Sequence, residues 1–261
     1  MLTCKRAVST WLLALVSVLL AGRIWPQSIG NHNARYDSNG TLLAWTSWEE
    51  IMQREVNWYL QCPVEKGYPR FVAMTFMDGD YKPIPKRDSF IPATQNGMGI
   101  ISYLKYHAYL HKKDPRLLAM ARSIGDYLVK EANTPNEGKY PRFTRSTGWR
   151  SRFPQPPDCG CQEDRPYQIE PDKGGIAGYA LLLLWEETGE QAYFDQAVHN
   201  AQVLAQNMRP GNDIQSPWPF RVDYRTGEAD GEVSGNMVYI LRLFDKLIRN
   251  DHKEFQSQRD E

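Results

Sequence analysis

The chain has 261 residues with 31 basic and 31 acidic side chains, so bulk charge argues neither for nucleic acid nor for an anionic membrane as partner. Its length allows one large domain or two small ones, with a substantial core. Aromatic residues make up 12% of the chain, and many lie in Pro/Gly-rich stretches, which points to exposed stacking surfaces beside the core.

At the start, Lys5 and Arg6 precede an apolar run from Ala7 to Ala21. This is the pattern of an export signal, and it is short for a membrane span. The "LLAGR" ending is not a clean small-residue cleavage site, so residues 1–27 read either as a cleaved signal peptide or as a retained N-terminal anchor. Both readings place the rest in a secreted or periplasmic setting, with the membrane touched only through that segment. Residues 28–44 read as a flexible linker.

A helix follows in "SWEEIMQREVNWYLQ", opened by a Ser47-x-x-Glu50 capping box. Cys62 stands beyond it, and in an oxidising compartment it forms a natural disulfide candidate with Cys159 or Cys161. No second Cys or His pair stands at ligand spacing, so "PDCGCQED" reads as a loop rather than a metal site. The tetrapeptide Tyr68-Pro69-Arg70-Phe71 returns as Tyr140-Pro141-Arg142-Phe143, with a near-echo in "PWPFRV" at 217–222. Residues before proline are pushed extended, so each copy is expected to form a short strand or turn opening a return path. Asp78 and Asp80 flank a glycine in "MDGDY". Paired carboxylates can divide acid and base roles, and Asp-Gly-Asp is equally an ordinary turn. The same turn leaves calcium open as a cofactor, with too few ligands of its own.

Residues 96–132 then align with 172–208 at one constant offset. Gly99-Ile100 falls on Gly175-Ile176, Tyr103 on Tyr179, Asp114 on Glu190 and Leu128 on Leu204. A third, partial copy begins at 234. Each copy opens with a helix apolar nearly all round, which must be buried on most sides. A short polar break follows, then an amphipathic helix with Leu117, Ala121, Ile124, Leu128 on one stripe and Phe194, Val198, Ala201, Leu204 on another. Asp114-Pro115 is a cap with proline at the first helical position. Buried inner helix, tight turn, outer helix and long loop therefore alternate, and all long loops gather on one rim. Residues 251–261 read as a polar tail.

The loop at 138–157 interleaves Lys139, Arg142, Arg145, Arg150 and Arg152 with Tyr140, Phe143, Trp149 and Phe153. Guanidinium groups pair with carboxylates and flat rings accept a sugar's C–H face, a combination suited to an acidic glycan. A solvated basic loop balanced by Asp158, Glu163 and Asp164 is the plainer reading. Glu170 and Asp172 precede an inner helix, where Asp172 is either an N-cap, like Asn96 in the previous copy, or a carboxylate facing substrate. Trp218, Arg221 and Asp223 cluster in the last loop. Trp218 reads as a sugar platform or a plug over the core, and Asp223 as a ligand group or the partner of Arg225. His107 on its buried helix reads as a satisfied core histidine.

The alternation, with Gly99-Ile100 to Tyr103, Gly175-Ile176 to Tyr179 and the "WPFRVDYRTGE" loop, resembles the six-hairpin glycosidase-like (α/α) toroids over residues 45–250. That superfamily holds many glycoside hydrolases, polysaccharide lyases and sugar epimerases. The resemblance implies an all-α fold of repeated helical hairpins in an incomplete toroid, with short β elements in the long loops. About six helices are countable, half a full ring, so self-association with a second copy is one way to complete it. With the export signal, it also implies a secreted hydrolase or lyase acting on a polysaccharide or oligosaccharide, uronates included. The acid/base candidates are Asp78, Asp80, Glu170 and Asp172. The substrate-binding candidates are Tyr68, Arg70, Tyr140, Arg142, Trp149, Arg150, Trp218, Arg221 and Asp223. The alternatives are a non-catalytic helical-repeat protein that binds a glycan or partner, and a sugar epimerase.

Overall fold

The computed structural model describes residues 37–41, 48–59, 64–65, 68–69, 74–77, 83–89, 92–112, 114–146 and 167–261. The export-signal segment, Ser47, all four cysteines, Arg70, Asp78, Asp80, Trp149 and Arg150 lie outside these residues, and Tyr68 is described by its backbone alone.

Two compact units divide the chain after Val56. The first contributes a turn in which Asp37 Oδ1 accepts the N–H groups of Asn39 and Thr41. It also holds most of helix α1 (Trp48–Tyr59), along which Glu50 and Arg54 pair one turn apart. No helix among the described residues is long and apolar enough to cross a membrane.

The second unit opens with two antiparallel hairpins, β1 (Val64–Glu65) with β2 (Tyr68–Pro69) and β3 (Met74–Met77) with β4 (Pro83–Ser89). The first Tyr-Pro-Arg-Phe copy thus begins as a strand, as expected. Five longer helices follow: α2 (Gly97–Tyr109), α3 (Pro115–Lys130), α4 (Pro171–Thr188), α5 (Gln191–Gln206) and α6 (Val238–Arg249), with the short α7 (Gln256–Asp260). The inner helices α2, α4 and α6 lie side by side with α4 in the middle, and α3 and α5 back them. Two hairpins and a third inner helix of the expected array are therefore present.

The repeat carries into the packing of the outer helices, with the buried stripe of α5 displaced from the one read from spacing: Ala201 and Leu204 are buried, but Phe194 and Val198 are only half-buried. Leu117, Ala121, Ile124 and Leu128 of α3 are buried, and so are Tyr193, Ala197, Asn200 and Leu204 at the matching positions of α5. Glycine lets the inner helices touch. A Cβ on Gly175 would lie 2.7 Å from Ile240 Cγ1 and 3.0 Å from the Ile240 nitrogen. Between α2 and α4 the close approach falls on Gly97, whose Cβ would meet Ile176 Cγ2 at 2.8 Å, while Gly99 has only ordinary contacts.

The tight-turn rim is held as the sequence suggests. Asp114 accepts the Arg116 N–H at 3.1 Å with Pro115 leading α3, and His107 Nδ1 sits 3.1 Å from the Asp114 carbonyl. Gly189 ends α4 in the left-handed conformation, φ 72°. Lys112 with Glu187 (2.6 Å) and Lys246 with Glu186 (2.8 Å) tie the end of α4 to its neighbours on both sides. The segment read as a polar tail instead packs on α6: Phe255 is buried and stacks on Phe244, centroids 5.4 Å apart.

The second Tyr-Pro-Arg-Phe copy is a turn, within the expectation, and it is seated as a plug. Tyr140 and Phe143 are buried edge to face, and Phe143 fills the space where a Gly174 Cβ would stand. Its backbone is held residue by residue. Tyr140 N–H donates to the Tyr224 carbonyl, His199 Nε2 lies 2.7 Å from the Pro141 carbonyl, Gln196 Nε2 donates to the Arg142 carbonyl, and Thr134 Oγ1 accepts the Phe143 N–H.

Candidate functional site

A three-stranded sheet lies at the long-loop rim, and its register builds the site. β5 (Gln168–Ile169) pairs antiparallel with β6 (Arg221–Asp223), which pairs with β7 (Ala229–Asp230). β5 runs directly into α4, with Glu170 at the N-cap position and Pro171 as the first helical residue, where its missing N–H costs nothing. Asp172 therefore falls inside the first turn rather than capping it, which corrects the N-cap expectation.

Because β6 lies beside β5, Arg221 reaches across to Glu170, and its Nε donates to Oε1 at 3.3 Å. Lys173 bridges the two carboxylates, its Nζ 2.9 Å from Asp172 Oδ2 and 3.8 Å from Glu170 Oε2. Lys173 thus sets a positive charge directly against Asp172. Glu170 also donates its N–H to Ser146 Oγ at 2.7 Å, and Gln168 Nε2 donates to Asp230 Oδ2 at 2.5 Å.

Both carboxylates are withdrawn from water, Asp172 at 3% and Glu170 at 7% exposure. Burial pushes the Asp172 carboxyl above the usual carboxylate range, and the opposing pull of Lys173 does not reverse it. Two neighbouring carboxylates thus stand in unlike surroundings, one salt-bridged to a guanidinium and one shifted toward its protonated form. Such a pair can divide proton donation from proton acceptance. No group of three or more His, Cys, Asp or Glu among the described residues is arranged to hold a metal ion.

Of the residues read from sequence, Glu170, Asp172 and Arg221 are brought together here. Asp78, Asp80, Arg70, Trp149 and Arg150 lie outside the described residues. The two residues flanking the 147–166 stretch, Ser146 and Tyr167, both belong to this rim, through Glu170 and through the start of β5.

Three substrate-binding expectations are corrected. Trp218 is 2% exposed, with Nε1 donating to the Leu204 carbonyl at 2.9 Å, so it plugs the core at the end of α5. Tyr140 is 1% exposed and offers no free ring face. Asp223 closes the hairpin turn: Arg225 donates to it from Nη2 at 2.7 Å and from its backbone at 2.8 Å, which holds the carboxyl below its usual range. Arg142 is exposed at positive φ (48°), with its carbonyl bound by Gln196.

Two residues at the rim escaped sequence reasoning. Tyr167 is half-exposed at positive φ, 79°, with the Arg225 guanidinium 3.5 Å from its ring centroid. Its place before an extended dipeptide carries no local signal of that conformation. Asn96, read as a cap, instead ends a helical turn (Pro92–Asn96) that runs into α2, and it makes no side-chain cap bond.

No family model matches the chain, and no curated protein matches its sequence. Among solved structures, cellobiose 2-epimerase from Spirochaeta thermophila matches with a TM-score of 0.55 at 14% identity, over 78% of this chain and 48% of that one. The chain thus spans about half the length of the structure it matches. At this identity the likeness carries the fold alone. The fold is all-α, repeated helical hairpins in an incomplete (α/α) toroid.

Proposed function

We propose that the protein is carbohydrate-active and takes its substrate at the rim where α2 and α4 begin, with Glu170 and Asp172 as the acid/base pair. The supporting observation is the buried Glu170–Lys173–Asp172 bridge with Arg221 against it, built at the long-loop rim of a toroid fold. A solved protein of that fold is named for its action on cellobiose. In this reading Asp172 supplies the proton to a leaving oxygen, and Glu170 takes one from water or from a sugar carbon. The reaction is cleavage of a polysaccharide or oligosaccharide, by hydrolysis or elimination. A uronate-bearing chain is included among the substrates, and the export-signal pattern of residues 1–27 supports an extracytoplasmic setting.

The test is incubation with neutral and uronate polysaccharides, scored for new reducing ends and for unsaturated products. Turnover on at least one substrate is expected, falling at least ~100-fold in Glu170→Gln and in Asp172→Asn. Full turnover in both variants removes the pair from the chemistry. One observation favours a second reading, a glycan-binding protein without catalysis: both carboxylates are buried and already charge-paired. That reading expects oligosaccharide binding and no product of either kind.

A further inference from the structure

The register of the three-stranded sheet sorts its side chains by face. Gln168 stands beside Asp223 and Ile169 beside Val222, and side chains alternate along a strand. Ile169 and Val222 turn to the core, each 1% exposed, so Gln168, Glu170, Arg221 and Asp223 share the other face. Asp230, opposite Arg221, joins them and accepts the Gln168 amide. A polar strip thus runs along the rim from the Glu170–Arg221 contact to Asp223, two residues or about 7 Å away.

At the Asp223 end of the strip stands Tyr167. Alternation would turn its side chain to the core with Ile169, but its backbone is left-handed, φ 79°, and the residue is 43% exposed. For a bulky side chain this conformation is a true outlier, and such outliers gather at functional sites. Two contacts fix it. The Tyr167 carbonyl accepts the Tyr224 N–H at 3.0 Å, and the Arg225 guanidinium lies over the ring, 3.5 Å from its centroid. That guanidinium is itself anchored, with Nη2 donating to Asp223 Oδ2 at 2.7 Å and Nε to Oδ1 at 3.1 Å. A single exposed apolar residue needs no explanation. A ring braced by an anchored cation on a costly backbone angle is a built feature. A rigid aromatic ring offers a large contact area at little cost in conformational entropy, and a pyranose presents a matching array of C–H groups.

We infer that Tyr167, braced by Arg225, is a stacking platform for one ring of the bound carbohydrate, whose chain lies along the polar strip from there to Glu170. Three residues separate Tyr167 from Glu170, at most about 11 Å of backbone, which is within the span of two linked pyranose rings. This rests on the carbohydrate reading above and adds to it a binding residue and a substrate of at least two sugar units. Tyr167 holds the sugar and carries no proton.

The experiment compares the full chain with Tyr167→Phe, which keeps the ring, and Tyr167→Asn, which removes it and tolerates the left-handed backbone. Each is titrated calorimetrically with cellobiose and with a galacturonate trisaccharide, and its thermal midpoint is measured without sugar. On whichever sugar the parent chain binds, Tyr167→Asn is expected to bind at least ~10-fold more weakly and to melt no lower. Tyr167→Phe is expected to stay within about 3-fold of the parent chain. If Tyr167→Asn binds as tightly as the parent chain, the platform is wrong while the carbohydrate reading stands. If Tyr167→Phe weakens binding as much as Tyr167→Asn, the ring is not the contact and the inference fails. Should Tyr167→Asn melt lower, Tyr167→Gly, to which this backbone conformation comes freely, replaces it under the same criteria. If the parent chain binds neither sugar, the carbohydrate reading falls and the platform with it.

Discussion

Asp172 and Asp223 show how differently one residue type behaves a short distance apart. The Asp172 value is raised by burial above the ordinary 3.8, so between that value and the folded one the unfolded chain ionises while the folded chain keeps its proton. Stability contributed by the folded site is therefore lost as pH rises through that window. The gap in thermal midpoint between Asp172→Asn and the parent chain should move in the variant's favour from about pH 4 to about pH 7; a pH-independent gap contradicts the assignment. Asp223 is the reverse case. Its hydrogen bonds from Arg225 lower the value below 3.8, so its contribution is present above that pH and lost as pH falls. The pair is part-exposed, and Asp223→Asn should cost no more than about 1 kcal/mol by denaturant titration. Residue types alone could not separate these roles. Trp218 and Tyr140 carry the rings a sugar site uses, but burial, a tertiary property, turns both into core.

Elements were more legible than side chains, because periodicity reports on which face is buried. The inner and outer helices, the Asp114-Pro115 start and the buried stripe of α3 follow from spacing, whereas on α5 the expected Phe194 and Val198 are only half-buried and Tyr193 and Ala197 are inside instead. The sheet does not, since β5 and β6 pair residues far apart in sequence, and only that pairing delivers Arg221 to Glu170. Close helix contact at Gly175 gives a sharp test. Its Cβ would meet the Ile240 backbone, which cannot swing aside, so Gly175→Ala should destabilise by about 1–3 kcal/mol. Gly235 has nothing within 4 Å, and its alanine variant should stay within about 0.5 kcal/mol of the parent chain. Equal effects at the two positions would contradict the packing. The Tyr-Pro-Arg-Phe plug is a second test, since Phe143 is fully buried against Gly174. Phe143→Ala should cost about 3–5 kcal/mol and loosen the segment that leads to Ser146 and Glu170; a loss under about 1 kcal/mol would mean the plug is not seated.

At the scale of the whole array, one topological rule connects sequence to site. Tight turns at one end force every long connection to the other, so the heads of α2 and α4, the sheet and the ends of the 147–166 stretch share a rim. That rule was readable from the alternation of helices and breaks, and it put Glu170 and Asp172 beside each other before any coordinates. The measurement that bears most directly on the account is oligosaccharide titration of the parent chain and of the Glu170→Gln/Asp172→Asn double variant, with product formation followed in the same samples. The account expects binding and turnover by the parent chain, and a folded double variant that has lost turnover. A parent chain that neither binds nor cleaves any neutral or uronate oligosaccharide, or a double variant that still cleaves, would contradict it.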